Sequence, residues 1–243
     1  MKNRVAMITG ASVGIGRAVA LQMAEKGAKL VLLDANAETL AKLEEELKAY
    51  NVEFMAFVCD VSNEQKVNEV VACATQKFGG VDILVNNAAI WRVKALFWES
   101  SIETWNKLIN VNLMGVVYCT NAVLSNMLKN GYGRIVNVAS VAGVYGNPSM
   151  SVYSATKGAV ISMSKALAKE VIEKGIVVNC VSPGRVSPSD NPDIEHTQPT
   201  DMCYAGRTGS DRENADLICF LASEKNGYVV GQNIQIDGSR RRI

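Results

Sequence analysis

The strongest constraint on this chain lies in residues 4–27. Residues 4–8 form a short apolar strand, Thr9-Gly10-Ala11-Ser12-Val13-Gly14-Ile15-Gly16 follows, and Ala18, Val19, Leu21 and Ala24 then recur at helical spacing up to a stop at Gly27. Glycines at 10, 14 and 16 allow a tight turn and let a helix N-terminus come close to an anion, as a pyrophosphate requires. Strand, glycine turn and helix in that order point to a parallel α/β sheet with a nucleotide at its strand ends. The candidate cofactor contacts in the turn are Gly10, Ser12, Val13, Gly14, Ile15 and Gly16.

Alternation continues to the end of the chain. Residues 29–33 are a second strand ending at Asp34, 38–49 an amphipathic helix, and 52–58 a third strand ending in Cys59-Asp60. A carboxylate at Asp34 can accept from both ribose hydroxyls of an adenosine and repels a 2′-phosphate, which favours NAD over NADP. A cap for the helix beginning near Ala37 is the other reading. Asp60 can meet the adenine amino group or cap the helix that starts after Ser62, and Val61 beside it is a further cofactor candidate.

The fourth strand, residues 81–85, runs into Asn86-Asn87-Ala88-Ala89, where Asn87, Ala88 and Ala89 suit close passage of a ligand. Trp91, Trp98 and Trp105 follow and can line an apolar substrate cleft or pack a loop against its helix. Residues 104–128 read as one long helix, inside which Asn112 is a polar amide in need of partners.

Residues 134–168 carry the densest chemistry. A β-branched strand ends at Ala139-Ser140, a Gly/Pro/Ser turn follows, and a long helix places Tyr153 and Lys157 four residues apart on one face. A phenol beside an ammonium has its ionised form stabilised, which suits proton exchange with an alcohol. After the sixth strand and Ser182-Pro183-Gly184, periodicity disappears over 185–210, an expected substrate-binding loop or lid within a single domain spanning 1–243. The seventh strand falls at 232–237, and the expected order is 3-2-1-4-5-6-7 in a Rossmann-like doubly wound sheet with helices on both faces.

Composition removes other classes. A net charge of +1 argues against a nucleic-acid partner, and no apolar run reaches the ~20 residues of a membrane span. The first strand begins at Val5, leaving no room for a signal peptide, and six scattered cysteines without C-x-x-C spacing read as reduced core residues of a cytoplasmic protein. No metal centre is expected from the single His196, and Arg240-Arg241-Arg242 reads as a solvated tail or an oligomer contact.

With T-G-x-x-x-G-x-G at 9–16, N-N-A at 86–88, Ser140, Y-x-x-x-K at 153–157, P-G at 183–184 and G-Q-x-x-x-x-D-G at 231–238, the chain resembles the short-chain dehydrogenase/reductase family over essentially its whole length. The resemblance implies that Tyr153 is the general acid/base, that Lys157 holds the nicotinamide ribose and favours the tyrosinate, and that Ser140 bonds the substrate oxygen. It further implies that Asn112 holds a water, and that Pro183, Gly184 and the Val186 backbone meet the cofactor. Family members pair long helices as dimers or tetramers, and a homotetramer is favoured here, with a dimer as the alternative. Two departures stand out: Pro188 replaces a threonine that binds the nicotinamide carboxamide, and Ser239 stands where a second glycine is usual.

The resulting expectation is an NAD-dependent enzyme interconverting a secondary alcohol and its ketone. Trp91, Trp98, Val141, Val144, Tyr145 and Met202 are the candidate substrate wall and tilt the reading toward a large apolar substrate such as a hydroxysteroid. A 3-oxoacyl thioester, a sugar or a small cyclic alcohol is the alternative, and a non-catalytic NAD-binding regulatory or structural protein is the competing class.

Overall fold

β1, Val5–Thr9, is buried along its entire length, and its side chains alternate between two cores. Ala6 and Ile8 face one layer and Val5 and Met7 the other, as the two-residue period of a strand demands. Both faces are therefore covered, and the strand is apolar throughout because neither side meets water. The computed structural model describes residues 1–187 and 191–241.

In chain order, β1 leads to α1 (Gly14–Glu25), β2 (Lys29–Asp34), α2 (Ala37–Leu47), β3 (Phe54–Val58), α3 (Glu64–Phe78) and β4 (Ile83–Asn86). Then come α4 (Ile102–Ile109), α5 (Gly115–Asn130), β5 (Gly133–Val138), the short α6 (Ala142–Tyr145), α7 (Ser151–Val171), β6 (Ile176–Pro183), α8 (Asp211–Leu221) and β7 (Asn233–Ile236). All seven strands are parallel, in the order β3-β2-β1-β4-β5-β6-β7. The order in which strands are added reverses between β1 and β4, and a crevice opens there at the carboxyl ends. One core holds Val19, Met23, Leu40, Leu43, Leu47 and Ile218 from the helices on its side. The other holds Val67, Val70, Cys119, Val123 and Met127.

The expected helix over 104–128 runs unbroken from Ile102 to Asn130 and contains one π turn at Asn110–Met114. The wide turn puts Gly115 against Val61, where a Cβ would stand 2.6 Å from Val61 Cγ2. The stretch Ile102–Asn130 is, among the described residues, long and apolar enough by composition to cross a membrane. Its inner face, however, is built into the sheet through Val116, Cys119, Val123 and Met127.

The expected tail is not a solvated terminus as far as Arg241. Tyr204 N and Ala205 N donate to Ser239 O and Gly238 O, Arg241 N donates to Met202 O, and Cys203 bridges Arg240. Backbone pairing thus holds the segment against the loop after β6, where solvation alone would leave it free. Ser239 adopts φ 61°, the left-handed conformation a glycine would take freely, and Asp237 Oδ1 fixes it by accepting from Ser239 N at 3.0 Å. Residues 185–187 and 191–209 are likewise tied down: Val186 bridges Gly209 and Pro199 bridges Arg207.

Candidate active site

The glycine turn is shaped by close backbone approach. Gly10, at φ 59°, would put a Cβ 2.8 Å from Ala88 Cα, and a Cβ on Gly16 would stand 2.0 Å from Gly10 O. Asn87 locks the turn by donating from Nδ2 to Thr9 O and Gly10 O at 3.1 and 2.9 Å, while Thr9 Oγ1 accepts from Asn87 N and Ala88 N. The N-termini of α2, α3, α4 and α8 are capped by Asn36, Asn63, Ser101 and Ser210. That of α1 has Val13 at its cap, with no side-chain bond and no acid in its first turn. Its first N–H groups have no side-chain acceptor, which suits an anion such as a pyrophosphate.

A cleft of about 1070 Å³ runs along the carboxyl edge of the sheet. Gly10, Val13, Gly14, Ile15, Asp34, Asp60, Val61, Asn87, Ala88 and Ala89 line one side of it; Ser140, Val141, Tyr153, Lys157, Pro183, Gly184, Val186, Trp91 and Met202 line the rest. Two of the expected contacts are displaced from it. Ser12 is buried, its hydroxyl 2.7 Å from Thr39 Oγ1, and Gly16 packs behind the turn. Both shape the cradle without facing the cleft. Asp34 accepts from Ser12 N and Asn36 N, each at 3.0 Å, and Asn36, not Asp34, caps α2. Asp60 accepts from Ser62 N and Ser62 Oγ, and Asn63 is the cap of α3.

The substrate wall differs more from expectation. Trp98 is 79% exposed outside the cleft, and Trp105 stacks on Phe97 at 4.9 Å, packing a loop. Tyr145 and Val144 sit on α6 with their side chains outward, because that short helix turns its inner face onto α7. A Cβ on Gly143 would lie 2.6 Å from Lys157 C. Sequence reading missed Arg92, Lys94, Lys107, Arg185 and Arg240, which also line the cleft. The Arg240-Arg241-Arg242 run was the only signal for any of them. Pro188 lies outside the described residues.

Tyr153, 9% exposed, hydrogen-bonds with Ser140, and Ser140 Oγ in turn accepts from Ala142 N at 3.1 Å. Lys157 is buried and donates to Val138 O at 2.8 Å, with Nζ 6.0 Å from the Tyr153 ring centre. Burial pushes the Tyr153 phenol up, opposed by the Ser140 bond, and pushes the Lys157 ammonium down to about 8. Asn112 Oδ1 accepts from Ile90 N at 2.7 Å and its Nδ2 donates to Ile90 O at 2.9 Å, so its side chain holds the chain after β4. No cluster able to hold a metal ion occurs among the described residues.

Fold and site together define an oxidoreductase built on a nucleotide-binding sheet, with a phenol, an ammonium and a hydroxyl at the strand ends. The chain belongs to the short-chain dehydrogenase family, whose model matches residues 4–198. It is 41% identical over 241 residues to the 3-oxoacyl-[acyl-carrier-protein] reductase FabG of Thermotoga maritima, covering 98% of both chains. It is also 35% identical over 243 residues to 2-dehydro-3-deoxy-L-rhamnonate dehydrogenase (NAD(+)) of a Sphingomonas species, covering 98% of this chain and 95% of that one. Among solved structures, NAD+-bound xylitol dehydrogenase superimposes with a TM-score of 0.90 at 31% identity, covering 98% of this chain and 99% of that one.

Proposed function

We propose that this protein is an NAD-dependent oxidoreductase that interconverts a secondary alcohol and its ketone. The observation that carries the reading is the common cleft: the uncapped start of α1, the carboxylate of Asp34 and the Ser140–Tyr153 pair with Lys157 all open onto one continuous space. The whole chain works as one nucleotide-binding domain, with 185–210 as its substrate loop. Asp34 favours NAD, since a 2′-phosphate beside it adds a like-charge clash. The rhamnonate dehydrogenase and the xylitol dehydrogenase, both named with NAD, support that choice.

Bound nicotinamide supplies the hydride donor or acceptor. Tyr153 gives its proton to the carbonyl oxygen on reduction and receives it from the alcohol on oxidation, while Ser140 hydrogen-bonds that same oxygen. Lys157 holds the nicotinamide ribose, and Asn112 positions the strand-end chain through Ile90.

The relatives' names support a 3-oxoacyl thioester first and a polyol or sugar acid second, ahead of a hydroxysteroid. The charged lining of the cleft mouth points the same way. The exposed small residues Ala155 and Ser162 on α7, and the outer face of the Ile102–Asn130 stretch, support a homotetramer. Six free cysteines support a cytoplasmic setting. The test is oxidation of NADH in the presence of a 3-oxoacyl thioester, a ketose and a cyclic ketone, followed by absorbance. Turnover of at least one is expected, and tight NAD binding without turnover of any carbonyl compound favours a non-catalytic NAD-binding protein instead.

A further inference from the structure

The charges lining the cleft are sorted by the sheet. Asp34 and Asp60 stand at the tips of β2 and β3. Arg92 and Lys94 follow β4, Lys107 is on α4, Arg185 follows β6 and Arg240 follows β7. The nucleotide's ribose end is acidic, and the opposite, substrate end carries the cations. Two acids depart from this sorting: Asp211 at the start of α8, and Asp237, whose Oδ1 is taken by Ser239 N.

Arg240 is built into place by its surroundings. The left-handed Ser239 turns the chain, the bridge to Cys203 pins its backbone, and its Nη2 donates to Asn147 Oδ1 at 2.7 Å. Its guanidinium also lies 6.0 Å over the Tyr145 ring. Asn147 N donates in turn to Ser154 Oγ at 3.2 Å, one residue from Tyr153. Arg240 is half-buried whereas Lys94, Lys107 and Arg185 are exposed, and among the described residues no carboxylate pairs with it. A guanidinium held by a neutral amide, with donors left facing a cleft, is arranged to receive a planar anion from outside the chain.

We infer that Arg240 is a specificity-determining residue that receives an anionic oxygen group, carboxylate or phosphate, on the far side of the substrate from its reacting alcohol carbon. The substrate class is then a hydroxy or oxo compound that carries such a group. This rests on the alcohol–ketone reading of the same cleft and adds the second anchor. Lys94 and Lys107 at the rim draw the anion in, and Arg240 fixes its orientation.

The experiment compares a graded series of secondary hydroxy acids with their methyl esters, and hydroxyalkyl phosphates with their parent diols, in the wild type, Arg240→Gln and Arg240→Lys. Expected is a wild-type preference for the charged member, expressed in KM. Arg240→Gln should lose ~10–100-fold in kcat/KM for that member alone, the fold-change of one charge-assisted contact, with partial rescue in Arg240→Lys. Whichever pair shows the larger loss identifies carboxylate or phosphate. A second readout is calorimetric binding of glutarate and of inorganic phosphate to the NAD-loaded protein, weakened by Arg240→Gln.

Equal turnover of charged and neutral members by the wild type would overturn the inference while leaving the oxidoreductase reading intact. So would an equal loss for both members in Arg240→Gln, which is the mark of a merely structural arginine. Turnover of no alcohol, charged or neutral, would instead remove the underlying activity.

Discussion

The two ends of the cleft are made by different means. At the nucleotide end, backbone does the shaping: Gly10 and Gly16 meet main-chain atoms at distances no Cβ tolerates, and the uncapped N–H groups of α1 point outward. At the substrate end, long side chains on loops and on the C-terminal segment do it, with Trp91, Met202, Arg185 and Arg240 at the wall. Backbone sites tolerate almost no substitution and keep one ligand, whereas a side-chain wall can be rebuilt without disturbing the sheet. A single scaffold can therefore keep its cofactor while changing its substrate.

The sharpest way to break this comparison acts where the two ends meet. Tyr153→Phe removes only the phenolic oxygen, so kcat should fall by ~10²–10⁴-fold, the range for a positioned general acid. NAD affinity should stay at the wild-type value by titration. Because burial raises the Tyr153 phenol, the protonated acid persists through neutral pH. Ketone reduction should therefore hold level there and decline at alkaline pH, while alcohol oxidation should climb with pH. A reverse order in the two pH profiles, or unimpaired Tyr153→Phe, removes this residue from the chemistry.

At the nucleotide end the next largest effect belongs to Asp34. Asp34→Asn keeps an acceptor for the ribose and for one of the N–H groups of Ser12 and Asn36, but drops the charge. The ratio of NADP to NAD dissociation constants should fall by ~10–100-fold, corresponding to a screened clash of ~1–3 kcal/mol. Calorimetric titration of both nucleotides measures it, and an unchanged ratio would show that the carboxylate does not face the 2′ position.

Asn112 supplies a smaller effect. Asn112→Ala leaves the half-buried Ile90 N–H and C=O without their side-chain partner, which should lower stability by ~1–2 kcal/mol. It should also raise the KM for substrate more than the dissociation constant for NAD, since Ile90 leads into Trp91 and the cationic wall. Thermal denaturation together with steady-state kinetics tests both halves.

The same division explains what could be read without coordinates. A glycine that must approach Ala88 leaves a fixed spacing in the chain, and buried strands leave apolar runs, so the sheet order and the cradle were legible. The Ser12 hydroxyl and Gly16 pack behind the turn, a distinction that sequence spacing does not record. The π turn at Asn110–Met114 left an apolar pattern indistinguishable from a regular α-helix. The exposure of Trp98 has another cause: an aromatic residue near a strand end carries no record of which way a loop turns it. Arg240 was hidden by its position, since three arginines at a terminus look solvated until the partners at 202–205 are known.

Asp211 gives the smallest predicted effect, and it borders the cleft from the start of α8. No sequence signal marked it: an aspartate at a helix start is ordinary, and only burial makes it unusual. Burial pushes its carboxyl up to about 7, against the opposing pull of the Arg17 guanidinium. Since the unfolded carboxyl ionises near the ordinary value of ~4, the folded protein holds a proton that the unfolded chain has released between those limits. The associated stability is complete below ~4 and is lost as pH rises through about 7. Because Asp211 borders the cleft, the stability at stake is ~1–2 kcal/mol. Asp211→Asn, uncharged at every pH, should flatten that decline and melt higher than the wild type at pH 8, with the two converging at pH 4. Parallel melting curves across the range would mean that the carboxyl is already ionised in the folded chain, and that water reaches the α8 side of the cleft as freely as it reaches the lysines at the rim.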